Sequence, residues 1–301
     1  MGYVISIVNM KGGVGKTTAT VNLGTCLARD RGKRVLIVDL DTQVNATLSL
    51  MPPLYFAKLK QERRTLKTLV EQTIRATTQP RLSVAEVIYR DICQVKGLDI
   101  IAGDVELYDD FLLSALIDTK SQQHRQSFEQ TWNSVENNLL RVILKPALSR
   151  YDFILLDFPP SDNLMTRSAL LASHFYLVPA RAEPLSVVGI GLLESRLRQF
   201  REANRVKLDL IGILFTARGQ ATSMATKVKH RLTQEFGEDK IFQTEIPTNV
   251  EVARAVDDFQ PVVLNNPSAS GAKAYVNLAP EFLQKFSRLL RQRQAAAPAN
   301  P

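Results

Sequence analysis

The sequence predicts an α/β fold: a doubly wound, mostly parallel sheet with helices on both faces. Short runs of apolar, largely β-branched residues at 4–8, 35–38 and 153–156 are typical of strands that are buried on both sides. Longer segments with helical periodicity separate these runs, as parallel strands require. A chain of 301 residues, 45% of them hydrophobic, fits one globular domain, which we expect over residues 1–294 with a disordered tail at 295–301.

The first predicted strand leads directly into a glycine-rich loop and then into a helix over about 17–29. Residues 11–18 read K-G-G-V-G-K-T-T. Glycines allow the backbone to curl with its N–H groups inward, and the helix N-terminus adds its positive dipole end at the same point. Such a loop holds phosphate, although glycine-rich turns between strands and helices also occur without any ligand. The predicted phosphate-binding residues are Gly12, Gly13, Val14, Gly15, Lys16, Thr17 and Thr18.

Two side chains at the end of this loop determine its chemistry. Lys16 is placed to reach the β- and γ-phosphates of a nucleotide, and the hydroxyl of Thr17 is placed to bind Mg²⁺. The loop departs at one position from the common G-x-x-x-x-G-K-[ST] pattern, because Met10 stands where the first glycine is expected. A second lysine, Lys11, precedes the glycine pair.

Acidic residues follow two of the predicted strands. The second strand ends in D-L-D-T-Q at 39–43, and the strand at 153–156 ends in Asp157, followed by F-P-P-S. Ligands of open parallel sheets bind beyond the carboxyl ends of the strands, so these carboxylates are expected beside the phosphates. Many strands end in acids that have no function, but the position of Asp39 and Asp41 one βα unit after a phosphate loop favours a functional role.

The pattern K-G-G-V-G-K-T-T resembles the deviant Walker A loop of the ParA/MinD family of ATPases, which are P-loop NTPases. The segments at 39–43 and 153–161 are similar to the D-x-D-P-Q and Walker B segments of that family, with Thr42 in place of the usual proline. The resemblance implies that ATP and Mg²⁺ are the cofactors. The residues that it implies for the Mg²⁺ shell are Thr17, Asp39 and Asp157.

The same resemblance implies an ATP hydrolase whose catalytic residues are Lys11, Lys16 and Asp41. By that resemblance Asp41 orients or activates the attacking water. In this family the early lysine, here Lys11, crosses to the nucleotide of a partner subunit, so that the two subunits of a homodimer enclose two ATP molecules. Turnover in such proteins is slow and is stimulated by an adaptor protein.

Segments near the C-terminus extend the resemblance. Residues 244–250, T-E-I-P-T-N-V, are similar to a segment whose backbone contacts the base, and residues 267–275 are similar to P-x-S-x-G-A-x-A-Y. A strand is predicted over 208–215, and the residue that follows it, Thr216, stands at a position that contacts adenine in similar proteins. The residues implied to contact adenine are Thr216, Pro247, Thr248 and Asn249. The resemblance covers the chain except roughly residues 51–80 and 119–138, which we interpret as insertions, and it favours the ParA-like branch over the MinD branch.

The insertions and the C-terminus also carry patterns. Residues 51–80 contain a basic run, for which a solvated helix face is favoured over a nucleic-acid contact, ahead of a helical pattern over 66–74. Residues 119–138 are polar and glutamine-rich, and we expect a surface loop that leads into a helix through Trp132. The final helix is predicted over about 280–294. Its basic, amphipathic pattern fits a packing helix, which we favour, or a helix on a membrane surface.

The composition favours an anionic partner. The chain has 38 Lys and Arg residues against 30 Asp and Glu residues, a net charge of +8. Binding a nucleotide does not require this excess, so nucleic acid or an acidic membrane surface is expected. By resemblance to ParA proteins, the homodimer presents basic residues to DNA without reading its sequence. The candidate DNA contacts are Arg196, Arg198, Arg201, Arg218, Lys227, Lys229, Arg254, Arg288 and Arg291.

Several other classes are disfavoured. Cys26 and Cys93 have neither paired spacing nor a nearby histidine cluster, which argues against a disulfide framework and a zinc site. A cluster bridged at a dimer interface, like that of the nitrogenase iron protein, is disfavoured because Cys26 lies within the first predicted helix and Cys93 in the irregular segment before a strand. No leader and no run of about eighteen apolar residues is visible, so we expect a cytoplasmic, nucleoid-associated protein. A metabolic kinase or ligase of the same fold stays open, because fold does not fix function.

The leading hypothesis is therefore a ParA-like ATPase that dimerises on ATP, binds DNA non-specifically and uses partner-stimulated hydrolysis to position or segregate a cargo. The alternative is a MinD-like spatial regulator associated with the membrane. Similar proteins act on plasmids, chromosomes or protein compartments, including the carboxysome-positioning McdA group.

Overall fold

The computed structural model describes residues 2–75, 82–107, 110–217 and 222–295, and the side chains of 110–112 lie outside this description. In this part of the chain, six strands form one sheet. The strands are β1 (Tyr3–Ile7), β2 (Val35–Asp39), β3 (Leu98–Ile101), β4 (Phe153–Asp157), β5 (Phe175–Arg181) and β6 (Asp209–Thr216). Their order in the sheet is β3-β2-β4-β1-β5-β6, and all neighbouring strands are parallel.

Helices cover both faces of this sheet, so the prediction of a doubly wound parallel sheet is confirmed. The helices on the described residues are α1 (Lys16–Arg31), α2 (Asn45–Leu48), α3 (Pro53–Gln61), α4 (Leu66–Ile74), α5 (Val84–Val87), α6 (Asp110–His124), α7 (Phe128–Leu144), α8 (Leu164–Ala172), α9 (Pro184–Asn204), α10 (Ser223–Phe236), α11 (Val250–Asp257), α12 (Val262–Asn265) and α13 (Ser270–Ala295).

Successive strand residues face opposite sides of the sheet and build two cores. Val4 packs in the core that α4, α7, α8 and α9 close, whereas Ile5 packs in the core that α1 and α13 close. Every residue of β2 and β4 is buried, as expected for central strands that are covered on both sides. The carboxyl ends of β1, β2 and β4 meet at one edge, where Ile7 and Asp39 are both in register with Asp157.

Helix α1 is bounded by two glycines. Gly15, before its first residue, has φ 81°, and Gly32, after its last, has φ 60° and donates its N–H to the carbonyl of Ala28. Both values lie in the left-handed region that glycine adopts without strain. Within the helix, a Cβ at Gly24 would lie 3.1 Å from Cδ1 of Ile37, so this glycine allows close packing on the sheet.

The C-terminal helix is longer than predicted. Helix α13 begins at Ser270 and not near Pro280, which lies inside the helix on its exposed side. The preceding turns bury Tyr275 in the core beside α1, and this packing outweighs the backbone hydrogen bond that proline removes. Phe286 is buried with its ring centroid 5.1 Å from that of Phe153. The apolar face of α13 therefore packs inside the protein, as the favoured interpretation expected.

The predicted surface loop at the start of residues 119–138 was wrong. Residues 119–124 form the last turns of α6, where Ile117 and Ser121 are buried. The loop was predicted because the local sequence is polar and does not show this tertiary packing. In the segment 51–80, the helical pattern predicted over 66–74 was correct and corresponds to α4. The basic run of this segment was interpreted as a solvated helix face, and its residues Lys58 and Lys60 lie on α3, which buries only Leu59. Across the described ranges, no helix is long and apolar enough to cross a bilayer.

Candidate phosphate and magnesium site

The loop between β1 and α1 has the backbone that a phosphate-binding loop requires. Gly13 and Gly15 have φ values of 68° and 81°, which residues with a side chain adopt only with strain. A Cβ built on Gly12 or Gly13 would meet no atom within 4 Å, so the need for glycine at Gly13 is conformational. Gly15 precedes the first helical residue, so the free N–H groups of α1 open towards the loop.

Lys16 is a buried cation at the floor of this loop. It is 7% exposed, and its Nζ donates to the carbonyl of Lys11 at 3.2 Å. Burial lowers the pKa of Lys16, and the carboxylates of Asp157 and Asp41 oppose this shift. The ammonium group therefore has two acidic neighbours and little water, a setting in which a phosphate would be a strong additional partner.

Asp157 lies at the end of β4 and joins two hydroxyl groups of α1. Its Oδ2 accepts a hydrogen bond from Thr17 Oγ1 at 2.7 Å, and its Oδ1 accepts one from Thr20 Oγ1 at 3.0 Å. Asp157 is fully buried, and burial together with the charge of Asp39 raises its pKa. The role of Thr20 was not predicted. The sequence could have indicated Thr20, because it follows Thr17 by three residues and this spacing places both hydroxyl groups on one face of the helix.

Asp39, at the end of β2, is held entirely by protein donors. Its Oδ1 accepts from the N–H of Asp41 at 3.1 Å, and its Oδ2 accepts from the N–H and the hydroxyl of Thr47 at 2.8 and 2.7 Å. Burial raises the pKa of Asp39, whereas the hydrogen bonds from Thr47 lower it. Thr47 could not be predicted as a partner of Asp39, because a separation of eight residues carries no local signal.

The donor set around these aspartates fits Mg²⁺. The two buried carboxylates of Asp39 and Asp157 repel each other, the Thr17 hydroxyl lies beside them, and a divalent cation would offset the repulsion. In the described part of the chain, no group of three or more His, Cys, Asp or Glu side chains is arranged to hold a metal by itself. In nucleotide-binding sites, Mg²⁺ is commonly held by one or two carboxylates together with substrate phosphates.

Asp41 lies two residues beyond Asp39, in a tight turn. It is 8% exposed, and its Oδ1 accepts from the N–H of Gln43 at 3.0 Å. Its carbonyl accepts from the N–H of Val44, a residue with φ 49°. The side chains of Gln43 and Asn45 are joined by a hydrogen bond of 3.1 Å on the exposed side of the turn.

Lys11 is directed away from the buried floor of the site. Its Nζ forms an ion pair of 2.5 Å with Oε2 of Glu183, and both side chains are more than 40% exposed. Glu183 is the residue that precedes α9, and its Oε1 lies 3.6 Å from Arg181. The sequence did not point to Glu183, since the contact spans 172 residues.

Of the residues predicted for the base, Thr216 lies beside the loop, and the side chains of Thr216 and Asn249 have structural roles. Thr216 is buried, and its hydroxyl contacts the carbonyl of Val14 at 2.8 Å. Asn249 caps α11 through its Oδ1 and donates to the hydroxyl of Ser270. Pro247 and Thr248 are more accessible. The assignment of these four residues to adenine stays a prediction.

The nine predicted DNA contacts fall into three groups. Three form ion pairs with acids of the same chain: Arg201 with Glu194, Lys229 with Glu245, and Arg254 with Glu251. Five others are exposed and have no acidic partner among the described residues: Arg196, Arg198, Lys227, Arg288 and Arg291. Arg218 lies outside the described residues.

Comparison with known proteins is consistent with this site. A family model described as an AAA domain matches residues 2–210. The chain is 33% identical over 281 residues to the sporulation initiation inhibitor protein Soj of Bacillus subtilis, covering 93% of this chain and 98% of that protein. It is 30% identical over 299 residues to the chromosome partitioning protein ParA of Caulobacter vibrioides, covering 98% and 97%.

Two solved structures share the fold at low identity. Cobyrinic acid a,c-diamide synthase of Mycobacterium smegmatis, bound to an ATP analogue and magnesium, has a TM-score of 0.71 at 21% identity and covers 95% of this chain and 96% of its own. An ATP complex of a Cyanothece McdA variant has a TM-score of 0.69 at 19% identity and covers 94% and 96%. The fold and the site together define a P-loop nucleotide-binding protein. The chain belongs to the ParA/MinD-like family of these proteins.

Proposed function

We propose that this protein is a ParA-like positioning ATPase that binds ATP with Mg²⁺ and hydrolyses it to ADP and phosphate. The observation that carries the proposal is the meeting of Lys16, Thr17 and Asp157 at the phosphate loop, with Asp39 in register beside Asp157. The full-length similarity to Soj and ParA supports the partition class over a metabolic ligase of the same fold. The ATP-bound and magnesium-bound neighbours support the cofactors.

The chain's own groups suit each part of the hydrolysis. The N–H groups of the loop and the ammonium of Lys16 hold the β- and γ-phosphates. Thr17 and the carboxylates of Asp39 and Asp157 hold the magnesium shell, where Mg²⁺ when bound neutralises the phosphate charge. Asp41, whose carboxylate is fixed by the N–H of Gln43, orients the attacking water.

The proposed homodimer depends on Lys11. In the single chain its ammonium forms an exposed ion pair with Glu183, so reaching the nucleotide of a partner subunit requires this pair to open. Exposed ion pairs contribute little to stability, and the charge-assisted bonds that a triphosphate offers are stronger. ATP would therefore favour a dimer, and hydrolysis, which an adaptor protein accelerates, would return the chains to monomers.

The proposed DNA surface consists of five exposed basic residues of α9, α10 and α13 that have no acidic partner in the described part of the chain: Arg196, Arg198, Lys227, Arg288 and Arg291. The net charge of +8 supports it. Such contacts go to phosphates, so binding should be insensitive to sequence and should weaken steeply with salt. By this proposal the protein works in the cytoplasm on the nucleoid, and its cargo is a plasmid, a chromosome or a protein compartment such as the carboxysome.

A gel shift on several unrelated duplexes tests this proposal, with ATP, ADP and no nucleotide compared. Retardation with ATP alone, equal for all sequences, is expected. Arg198→Ala and Arg288→Ala should each reduce the slope of log affinity against log salt by about 1. Arg254→Ala is the matched control, because this arginine is already paired with Glu251 at 2.9 Å. Equal retardation with ATP, with ADP and without nucleotide would contradict the proposal that DNA binding depends on ATP.

The MinD-like alternative predicts a membrane-binding final helix. The apolar face of α13 is buried against the sheet, which leaves its basic face outside. Sedimentation of the full chain with acidic liposomes, in ATP and in ADP, distinguishes the two proposals. Protein that pellets with liposomes in ATP and leaves duplex DNA unretarded at low salt would favour the alternative.

A further inference from the structure

The turn after Asp41 contains a strained residue. Val44 has φ 49° and ψ 33°, in the left-handed region, and its side chain is 3% exposed. An L-residue with a Cβ is disfavoured there by roughly tenfold relative to the right-handed conformation, and β-branching makes the conformation rarer still. Surrounding contacts must therefore hold Val44 in place.

Those contacts begin with the short helix α2. The carbonyl of Val44 accepts from the N–H of Leu48 at 2.9 Å and so starts the helix, while its N–H donates to the carbonyl of Asp41 at 2.9 Å. The left-handed residue thus reverses the chain between Asp41 and α2. This reversal turns Thr47 of α2 back onto Asp39.

Thr47 is fully buried and connects three segments. Its N–H and its hydroxyl both donate to Oδ2 of Asp39, and its Oγ1 accepts from the N–H of Gly103 at 3.0 Å. A Cβ on Gly103 would lie 3.0 Å from Cγ of Asp39, so the carboxylate also fits tightly on that side. Asp39 therefore has one orientation in which all these bonds are made.

We infer that residues 44–47 form a strained clamp on Asp39. Thr47 is the positioning residue that fixes this carboxylate for the magnesium site, and its hydrogen bonds hold Val44 in the left-handed conformation. The role of the clamp in magnesium binding rests on the proposed function, whereas the coupling between Val44 and Thr47 does not. Loss of the Thr47 hydroxyl removes one of the three hydrogen bonds that orient Asp39, and relief of the strain at Val44 tightens the clamp.

The first experiment measures magnesium dependence with a fluorescent ATP analogue. For Thr47→Val, which keeps the side-chain shape and removes the hydroxyl, the Mg²⁺ concentration at half-saturation should rise about tenfold, as expected for the loss of one hydrogen bond to a charged group. Thr47→Ser should restore the native value within about twofold. Native magnesium dependence in Thr47→Val would overturn the positioning role. A native protein whose nucleotide binding ignores Mg²⁺ would instead contradict the proposed function, and the second experiment then decides the clamp.

The second experiment needs neither nucleotide nor metal. Val44→Gly and Val44→Ala both remove the buried methyl groups, but only glycine adopts a positive φ without strain. The unfolding equilibrium constant of the glycine variant, from urea titration, should be about fivefold smaller than that of the alanine variant. In a Thr47→Val background this advantage should disappear, because an open clamp lets residue 44 relax. Equal stability of the two variants, or an advantage that persists without the Thr47 hydroxyl, would overturn the clamp.

Discussion

Thr20→Val probes the buried carboxylate on which the proposed site depends. Thr20 Oγ1 donates to Oδ1 of Asp157 at 3.0 Å, and the same hydroxyl lies 3.0 Å from the carbonyl of Lys16. Valine has the shape of threonine without the donor, and the Lys16 carbonyl still receives its helical N–H. The substitution therefore leaves the Asp157 carboxylate, which is 0% exposed, with one donor fewer.

The expected loss depends on the charge of Asp157. A hydrogen bond to an ionised group contributes about 1.5–3 kcal/mol, whereas one between neutral groups contributes about 0.5–1.5 kcal/mol. Burial and the charge of Asp39 raise the pKa of Asp157 in the folded protein above its ordinary value of 3.8. Above the raised pKa, ionised Asp157 destabilises the fold, and the free energy of unfolding increases again as the pH falls through the raised pKa. Removing the Thr20 donor raises the folded pKa further. The variant should therefore lose most at pH 9 and least at pH 5.

Urea unfolding at pH 9 and pH 5, in EDTA and without nucleotide, measures both losses. Thr20→Ser is the control: it keeps the hydroxyl and loses one buried methyl group, at a cost of about 1 kcal/mol that does not change with pH. A Thr20→Val variant as stable as the native protein at pH 9, or one with the same loss at both pH values, would refute the charge-assisted bond to Asp157.

Three further predictions concern single side chains. Lys16→Ala should weaken ATP binding about 100-fold in equilibrium dialysis, because it removes about 3 kcal/mol of charge-assisted bonding, and unchanged affinity would contradict the phosphate role. Asp41→Ala should keep ATP binding, slow hydrolysis on the order of 100-fold and accumulate a dimer in size-exclusion chromatography with ATP. A variant that stays monomeric would contradict the role of Asp41 in hydrolysis. His174 Nδ1 accepts from the N–H of Val4 at 3.0 Å, and burial lowers its pKa. As the pH falls, His174 is therefore protonated in the unfolded chain before it is protonated in the folded protein. Below pH 6.5 the free energy of unfolding should decrease by up to about 1.4 kcal/mol per pH unit relative to the variant His174→Asn, whose Oδ1 keeps the acceptor. Equal pH slopes of the two proteins in urea unfolding would exclude this account.

The phosphate loop could be predicted because its chemistry is local. Gly13 and Gly15 need positive φ values, Lys16 and Thr17 follow in the next turn, and all of this lies within one strand-loop-helix unit. The strand ends at Asp39 and Asp157 could be predicted for a similar reason, since a buried strand is visible as a continuous apolar run.

The partners of these residues could not be predicted in the same way. Thr47 reaches Asp39 across eight residues, and Glu183 reaches Lys11 across 172. The polar end of α6 was interpreted as a loop because its burial at Ile117 depends on neighbouring helices. Of the nine basic residues predicted to contact DNA, Lys229 pairs with Glu245, an acid of another segment that no local pattern indicates, whereas the spacing of three residues between Glu251 and Arg254 was visible in the sequence.

The sequence by itself determined the class of fold, the position of the phosphate loop and the identity of the acids that face it, because each depends on backbone conformation or apolar pattern within a few residues. Only the tertiary structure decided how those acids are held. It placed Asp39 beside Asp157 by strand register, surrounded them with the hydroxyl groups of Thr17, Thr20 and Thr47, and left Val44 strained. Hydrogen bonds between distant segments form only when the sheet brings strand ends together, and no local pattern records them.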